Sequence, residues 1–162
     1  MSRNKLIIIL VALILPLSGC LDSQLAETSA GGGLSMYSFN GQDAAGSMDD
    51  TGGDVLVDVE LDSGDSILWS EVFIRISVDY GQKYTCGDSN HDSDDDSNCV
   101  FTSYGNGDDD SSWELGEGIT ISEGDYDLCD GSNGGGCDID VEITNWDGMM
   151  LGSLTLFADG NY

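Results

Sequence analysis

Residues 137–144, "CDIDVEIT", alternate apolar and polar side chains without a break. Ile139, Val141 and Ile143 fall on one side of an extended chain, and the intervening acids fall on the other side. A period of two is typical of a strand with one buried and one solvated face. The stretch therefore predicts a sheet with one face open to water.

The same alternation occurs at residues 54–61 and 72–80. The first stretch predicts one face with Val55, Val57, Val59 and Leu61 and an opposite face with Leu56, Asp58 and Glu60. The second predicts an inward face with Val72, Ile74, Ile76, Val78 and Tyr80, against Phe73, Arg75, Ser77 and Asp79.

Shorter strand candidates follow, and no stretch shows a helical stripe. They lie at residues 99–104, 118–122 and 125–129, and a last one at 149–157 is apolar on both faces, which predicts a central strand. About seven or eight short strands separated by Gly, Asp and Ser turns predict an all-β fold. We expect an antiparallel, immunoglobulin-like β-sandwich.

The amino terminus has the layout of a secretory signal: the basic "MSRNK", an apolar run at 6–17 and small residues before Cys20. The run reaches only roughly 18 Å as a helix, which is too short to span a bilayer core of about 30 Å. "LSGC" at 17–20 has the form of a lipobox, so we expect cleavage before Cys20 and a lipid on its thiol. The alternative is an ordinary signal peptide with an incidental cysteine.

Domain organisation follows from these features. We expect a lipoprotein signal peptide at 1–19, a lipidated Cys20 with a flexible linker at 20–33, and the sandwich domain at 34–162. The stretch at 34–39 is either a first, edge-like strand or part of the linker. The predicted location is the extracellular face of the cell membrane, with the lipid on Cys20 as the membrane contact.

The charge is extreme, with 31 acidic residues against 4 Lys or Arg and a net charge of −27. Arg3 and Lys5 lie in the predicted leader, so the mature chain has 31 acids against Arg75 and Lys83, or −29. Nucleic acid is excluded as a partner, because binding it requires clustered cations. A surface protein or a glycan remains as a partner class.

Four cysteines remain beyond Cys20, an even number that suits two disulfides in an oxidising compartment. Four cysteines allow three pairings. The spacing favours Cys86 with Cys99 and Cys129 with Cys137, since each pair then brackets a polar turn between strand-like segments.

The acidic stretch at 88–96 places oxygen-bearing side chains at every second position, a pattern typical of Ca²⁺ loops. The candidate ligands are Asp88, Asn90, Asp92, Asp94 and Asp96. The EF-hand spacing then fails, because Ser93 and Cys99 stand where Gly and Glu are needed. The alternatives are a weak calcium site of another type and an unliganded, solvated run. A second acidic turn at 106–112 is expected to lie at the same end of the sandwich.

Catalysis is not expected. The only histidine, His91, lies within the acidic run, and there is no Gly-x-Ser-x-Gly elbow. An acidic surrounding disfavours a thiolate nucleophile. The three tryptophans, Trp69, Trp113 and Trp146, are more typical of sandwich core or rim than of a ligand platform.

Three stretches carry a family resemblance: "SGDSILWSEVFIRIS" (63–77), "WELGEGITIS" (113–122) and "VEITNWDGMMLGSLTL" (141–156). Their order resembles the β-rich domain of archaeal type IV pilins and archaellins. The resemblance implies an immunoglobulin-like sandwich displayed at the cell surface. Pilin precursors keep their apolar segment, whereas here that segment precedes the lipobox and would be removed.

Three functions are compatible with these observations. The favoured one is a lipid-anchored, non-enzymatic surface module with a binding, adhesion or envelope role, stabilised by calcium if the acidic stretch binds it. The alternatives are a pilin-like subunit of a surface filament and a secreted hydrolase.

Overall fold

Strands dominate the structure because short apolar–polar repeats alternate with turn residues along the chain. The computed structural model describes residues 37–46, 48, 49, 51–89, 97–105, 111–130 and 135–159. These residues belong to one compact unit, Ser35–Tyr162. The predicted signal peptide (1–19), Cys20 and the predicted linker (20–33) lie outside the described residues.

The described residues form eleven strands and one 3-10 turn, Trp69–Glu71. The strands are β1 (Ser38–Asp43), β2 (Val55–Ser63), β3 (Ile67–Leu68), β4 (Val72–Val78), β5 (Lys83–Thr85), β6 (Gly87–Asp88), β7 (Cys99–Tyr104), β8 (Ser112–Trp113), β9 (Gly118–Glu123), β10 (Cys137–Asn145) and β11 (Met150–Ala158).

Two large sheets form the sandwich. The first has five strands in the order β1-β2-β9-β7-β6, and the second has four in the order β11-β10-β4-β5. The short β3 and β8 form a separate two-stranded ladder. All described pairs are antiparallel except β6 with β7, which is parallel. The prediction of an all-β sandwich of antiparallel sheets is confirmed.

The inner faces of the two sheets share one apolar core. Ile139, Val141 and Ile143 of β10 are fully buried, as the alternation of their stretch predicts. They meet the buried apolar residues of the facing sheet in a single cluster. Burial of this apolar area is the main favourable term in folding.

The strand count differs from the prediction of about seven or eight. Eight of the described strands have three or more residues, and the other three have only two. Pairs this short leave no alternating pattern in the sequence, so periodicity cannot detect them. The strand predicted at 125–129 is wrong, because this stretch contains bends and no strand pairing.

Three burial predictions are also wrong. Ser77, expected on the solvated face of its strand, is buried. Leu56 is fully buried, although the alternation predicts it on the solvent-exposed face with Asp58. The ladder between β2 and β9 shifts register between Val55 and Val57, and the irregularity allows Leu56 and Val57 both to be buried. Tyr80 is exposed because the chain leaves β4 at Val78 and turns with positive φ at Asp79 and Tyr80.

The prediction of a central place for the stretch 149–157 is wrong as well. β11 stands at the edge of the four-stranded sheet and pairs with β10. β1 of the other sheet packs against the inner face of β11 with Phe39 and Gly41. Leu154 and Leu156 on that face remain half-buried. β1 itself is an edge strand, as one of the two alternatives for 34–39 predicted, but it begins at Ser38.

Candidate aromatic cleft

An open cleft of about 490 Å³ lies where the 3-10 turn, the start of β4, the β5–β6 link and β7 meet. Its volume falls within the range typical of small-molecule sites. Three aromatic residues line it, Trp69, Phe73 and Phe101, with the hydroxyl residues Ser70, Thr85 and Ser111. Val72, Cys86, Gly87 and Asp88 complete the lining. We call this site the aromatic cleft.

Local backbone pairing builds the walls of the aromatic cleft. The Trp69 N–H donates to the Ser111 carbonyl at 2.9 Å, which joins the 3-10 turn to the residue before β8. The Cys86 N–H donates to the Ile74 carbonyl at 2.9 Å, which continues the β4–β5 ladder past Thr85. These bonds bring side chains that are far apart in sequence to one rim.

A disulfide between Cys86 and Cys99 closes one side of the aromatic cleft, with the two Cα atoms 4.6 Å apart. Cys86 follows β5 of the four-stranded sheet, and Cys99 begins β7 of the five-stranded sheet. The bond therefore links the two sheets covalently. A second disulfide joins Cys129 to Cys137. Both pairings are those that the sequence spacing favours.

Aromatic stacking connects the aromatic cleft to the core. The Trp69 ring lies nearly parallel to that of Trp113 at 5.0 Å between centroids, and 6.1 Å from that of Phe101. Trp113 is fully buried and donates its indole N–H to the Glu117 carbonyl at 2.7 Å. Such pairs contribute beyond their buried area, so the position of Trp69 is fixed by the core behind it.

The outer rim of the aromatic cleft is extended by Trp146. Phe73 lines the cleft and also contacts Trp146, with 6.0 Å between the ring centroids. Trp146 lies in the β10–β11 turn and is 73% exposed. The three tryptophans thus differ: Trp113 is core, Trp69 lies between core and cleft, and Trp146 is surface.

Charge is unevenly distributed around the aromatic cleft. Asp88 is the one ionisable side chain that lines it among the described residues. The register places Arg75 beside both Thr85 and Glu142 on the outer face of the four-stranded sheet, and Lys83 forms an ion pair with Glu142. The two cations expected in the mature chain therefore share one sheet face next to the cleft.

The structure leaves most of the predicted calcium ligands unplaced. Of Asp88, Asn90, Asp92, Asp94 and Asp96, only Asp88 belongs to the described residues, and the other four, like His91, lie outside them. Within the described ranges, no group of three or more His, Cys, Asp or Glu side chains is arranged to hold a metal ion.

The two acidic stretches have neighbouring ends. Asp88 begins the first, and Ser111 lies in the second, and both residues line the aromatic cleft. The stretches themselves, at 90–96 and 106–110, lie outside the described residues. The two described flanks, Asp88 and Ser111, line the same cleft. The placement of both stretches at one end of the sandwich stays a prediction.

A buried glutamate was missed by the sequence reasoning. Glu123 ends β9 and is only 2% exposed. Its Oε1 accepts the backbone N–H groups of Leu128 and Cys129, both at 2.8 Å, while its Oε2 has no hydrogen-bond partner among the described residues. Its position continues the period-two alternation of Ile119 and Ile121, which is the signal that could have found it.

Burial raises the pKa of Glu123 above its ordinary value, and the nearby Asp127 and Asp54 carboxylates act in the same direction. The two accepted N–H bonds act in the opposite direction, but burial is the largest cause. The side chain ties the loop that carries Cys129 to the strand that pairs with Cys99. Glu123 therefore connects the segment of one disulfide to the strand beside the other.

Comparison with family profiles and with curated proteins gives no relative. No protein-family profile matches the chain, and no curated protein is significantly similar to it. Within the part of the chain that the structure describes, no helix has the length and apolar character needed to cross a membrane. The aromatic cleft is therefore the feature that bears on function.

Proposed function

We propose that the chain is a non-enzymatic binding module held at the outer face of the cell by a lipid on Cys20, with the aromatic cleft as its binding site. The observation that carries the proposal is the cleft itself. It combines three aromatic side chains with three hydroxyl groups and one carboxylate. A mostly apolar wall with a few polar groups is the usual composition of a ligand pocket.

The expected ligand is uncharged. A net charge of −27 repels anions from the whole surface, so phosphates and polyanions are poor ligands. A saccharide has the complementary chemistry, because it offers a flat C–H face to Phe73 or Trp69 and hydroxyl groups to the polar rim. We therefore propose a neutral glycan as the ligand class.

Saccharide binding is tested by ¹H–¹⁵N NMR titration of the protein with a panel of neutral methyl glycosides. We expect the resonances of cleft residues to shift with at least one glycoside. The variant Phe73→Ala should remove the shifts, whereas Tyr126→Ala, which alters an exposed aromatic residue outside the cleft lining, should leave them unchanged. Shifts that persist in Phe73→Ala, or their absence with every glycoside, would contradict the proposed site.

The anchoring is tested separately, by mass spectrometry of the amino terminus of protein isolated from membranes. We expect a chain that begins at Cys20 and carries a lipid mass on that residue. A chain that retains residues 6–17 would instead favour the filament alternative. An unmodified Cys20 at the terminus would exclude the lipid tether.

A further inference from the structure

The outer face of the four-stranded sheet carries two neighbouring rows of side chains that both start at the aromatic cleft. In the first row, Phe73 of β4 pairs with Thr144 of β10, and Thr144 pairs with Met150 of β11. Phe73 lines the cleft, and Thr144 is only 6% exposed between its two partners. This row, which we call the Phe73 row, therefore continues the apolar wall of the cleft across the sheet.

The second row is polar, and we call it the Arg75 row. It joins register partners on β5, β4, β10 and β11, namely Thr85, Arg75, Glu142 and Ser153. Thr85 also lines the cleft. A guanidinium group donates hydrogen bonds, a carboxylate accepts them and a hydroxyl does both, so the row offers both kinds of partner. It lies two residues, or roughly 7 Å, from the Phe73 row along the strands.

Trp146 stands beside the Phe73 row in a turn that fixes its position. The Gly148 N–H donates to the Asn145 carbonyl at 2.9 Å, and the Met149 N–H donates to the Asn145 side-chain Oδ1 at 2.8 Å. The Asn145 N–H donates to the Met149 carbonyl at 3.0 Å. Gly148 has a φ of 75°, which glycine adopts without strain. The Trp146 ring, 6.0 Å from that of Phe73, is therefore held at the rim of the cleft before any ligand arrives.

The turn and the start of β11 expose more apolar surface than a solvated turn needs. Trp146 is 73% exposed, Met149 59% and Met150 48%, so three large apolar side chains lie in water within five residues. Contiguous apolar exposure of this kind marks an interaction site, whereas single exposed apolar residues are ordinary. The contact between Trp146 and Phe73 joins this surface to the aromatic cleft. A ligand that occupies the cleft can therefore continue onto Trp146 without leaving the protein.

We propose that the ligand is a linear oligosaccharide, with one sugar in the aromatic cleft and the following sugars along the Phe73 row and the Arg75 row, against Trp146. The inference rests on the proposed function, and it adds the length of the ligand and the course that the ligand takes. Each sugar places its C–H face on the Phe73 row and Trp146 and its hydroxyl groups at the Arg75 row. Trp146 is then the residue that selects chains over single sugars.

The size and the charge of the surface both favour such a chain. The two rows cross the strands, and the three spacings from β5 to β11, of about 4.8 Å each, amount to roughly 14 Å. This length exceeds that of one sugar ring. The net charge of −27 repels anionic polymers, which include nucleic acids and acidic glycans. A neutral chain with an apolar face and a hydroxyl-bearing edge is the polymer that matches both rows.

A length series of neutral sugars tests the inference on the full chain, kept in a detergent that has no sugar head group. The probes are the methyl glycosides of glucose, mannose and galactose and their unbranched dimers to hexamers, titrated by ¹H–¹⁵N NMR. We expect at least one trimer to bind with a Kd about tenfold lower than that of its methyl glycoside. The Trp146 indole N–H resonance should shift with the trimer, and by less with the methyl glycoside.

Three variants separate the effect of Trp146 from that of any exposed aromatic residue. Trp146→Ala should raise the Kd of the trimer about tenfold and the Kd of the methyl glycoside by a smaller factor. Trp146→Phe keeps a ring and should recover part of the loss. Tyr126→Ala, at a residue that is 62% exposed and outside the cleft lining, should change neither Kd.

Failure of the inference is distinguishable from failure of the proposed function. A Kd that does not fall with chain length would overturn the oligosaccharide while leaving a site for a single sugar. Equal effects of Trp146→Ala on the methyl glycoside and the trimer would do the same. The absence of shifts with every sugar of the series would overturn both proposals.

Discussion

β10 and β11 are two nine-residue strands that pair along their whole length, yet they stand in opposite situations. β10 has a strand on each side, and its acids Asp138, Asp140 and Glu142 alternate with buried residues and are partly exposed. β11 has no acid and occupies the edge. Apolar content therefore does not determine whether a strand is central or at the edge of this sheet. The number of neighbouring strands that pair with it does.

The largest difference between β10 and β11 is expected from matched truncations of register partners. Ile139 of β10 is fully buried and faces Leu156 of β11. Ile139→Ala should lower the free energy of unfolding by about 3 kcal/mol, and Leu156→Ala by about 1 to 2 kcal/mol because its site is partly open. Urea denaturation of both variants measures the difference. Equal losses would mean that β11 is as enclosed as β10.

The disulfide at the start of β10 is a second difference between the two strands. Cys137 begins β10 and is bonded to Cys129, whose N–H is held by Glu123. Glu123→Ala leaves two backbone donors without their acceptor and should cost about 2 kcal/mol. Glu123→Gln keeps an acceptor oxygen and should cost less, as measured by thermal unfolding at neutral pH.

The pH dependence of Glu123 has a defined sign. Because burial raises the pKa of Glu123 in the folded state, its protonated form is favoured there. Its contribution is fully present below the ordinary glutamate pKa and is lost as pH rises through the raised value. Wild type should therefore lose stability relative to Glu123→Gln as the pH rises above about 4.3. A difference that is constant with pH would contradict this.

A smaller effect is expected where β1 crosses β11. A Cβ atom added at Gly152 would overlap the Phe39 ring, so Gly152→Ala should cost about 1 to 2 kcal/mol through displacement of the ring. Gly135→Ala is the control, because nothing lies within 4 Å of its added Cβ, and it should change stability by less than about 0.5 kcal/mol. Chemical denaturation of the two variants checks whether β1 covers the inner face of β11.

The smallest effect concerns the polar faces of the two strands. The Thr155 hydroxyl on β11 donates to Asp140 on β10 at 2.7 Å in an exposed position. Thr155→Val should lower the free energy of unfolding by about 0.5 to 1 kcal/mol. Urea denaturation measures the loss, and no loss would show that this cross-strand bond is replaced by water at no cost.

Local alternation predicted most strands because a buried face repeats every second residue. Val72, Ile74 and Ile76 all face the core as expected. Leu56 and Leu151 are buried out of phase because bulges displace them, and a bulge depends on the partner strand rather than on the local sequence. The edge position of β11 is likewise a property of the whole sheet.

The aromatic cleft could not be predicted from the sequence. Trp69, Asp88, Phe101 and Ser111 come from four separate segments, and only the ladder bonds and the disulfide bring them together. Glu123 was missed for a different reason. It reads as one more acid before a Gly-Asp turn, although it continues the buried alternation of β9. In a chain this acidic, composition conceals the two glutamates that are buried among the described residues, Glu117 and Glu123.

The bond between Cys86 and Cys99 also governs what a protease can achieve. Every peptide bond of the first acidic stretch lies between these two residues, so a single cut there opens the chain without separating it. The two resulting pieces would remain joined between the sheets and would migrate as one species until reduced. A protease cut in this acidic stretch would therefore leave both parts of the sandwich covalently joined.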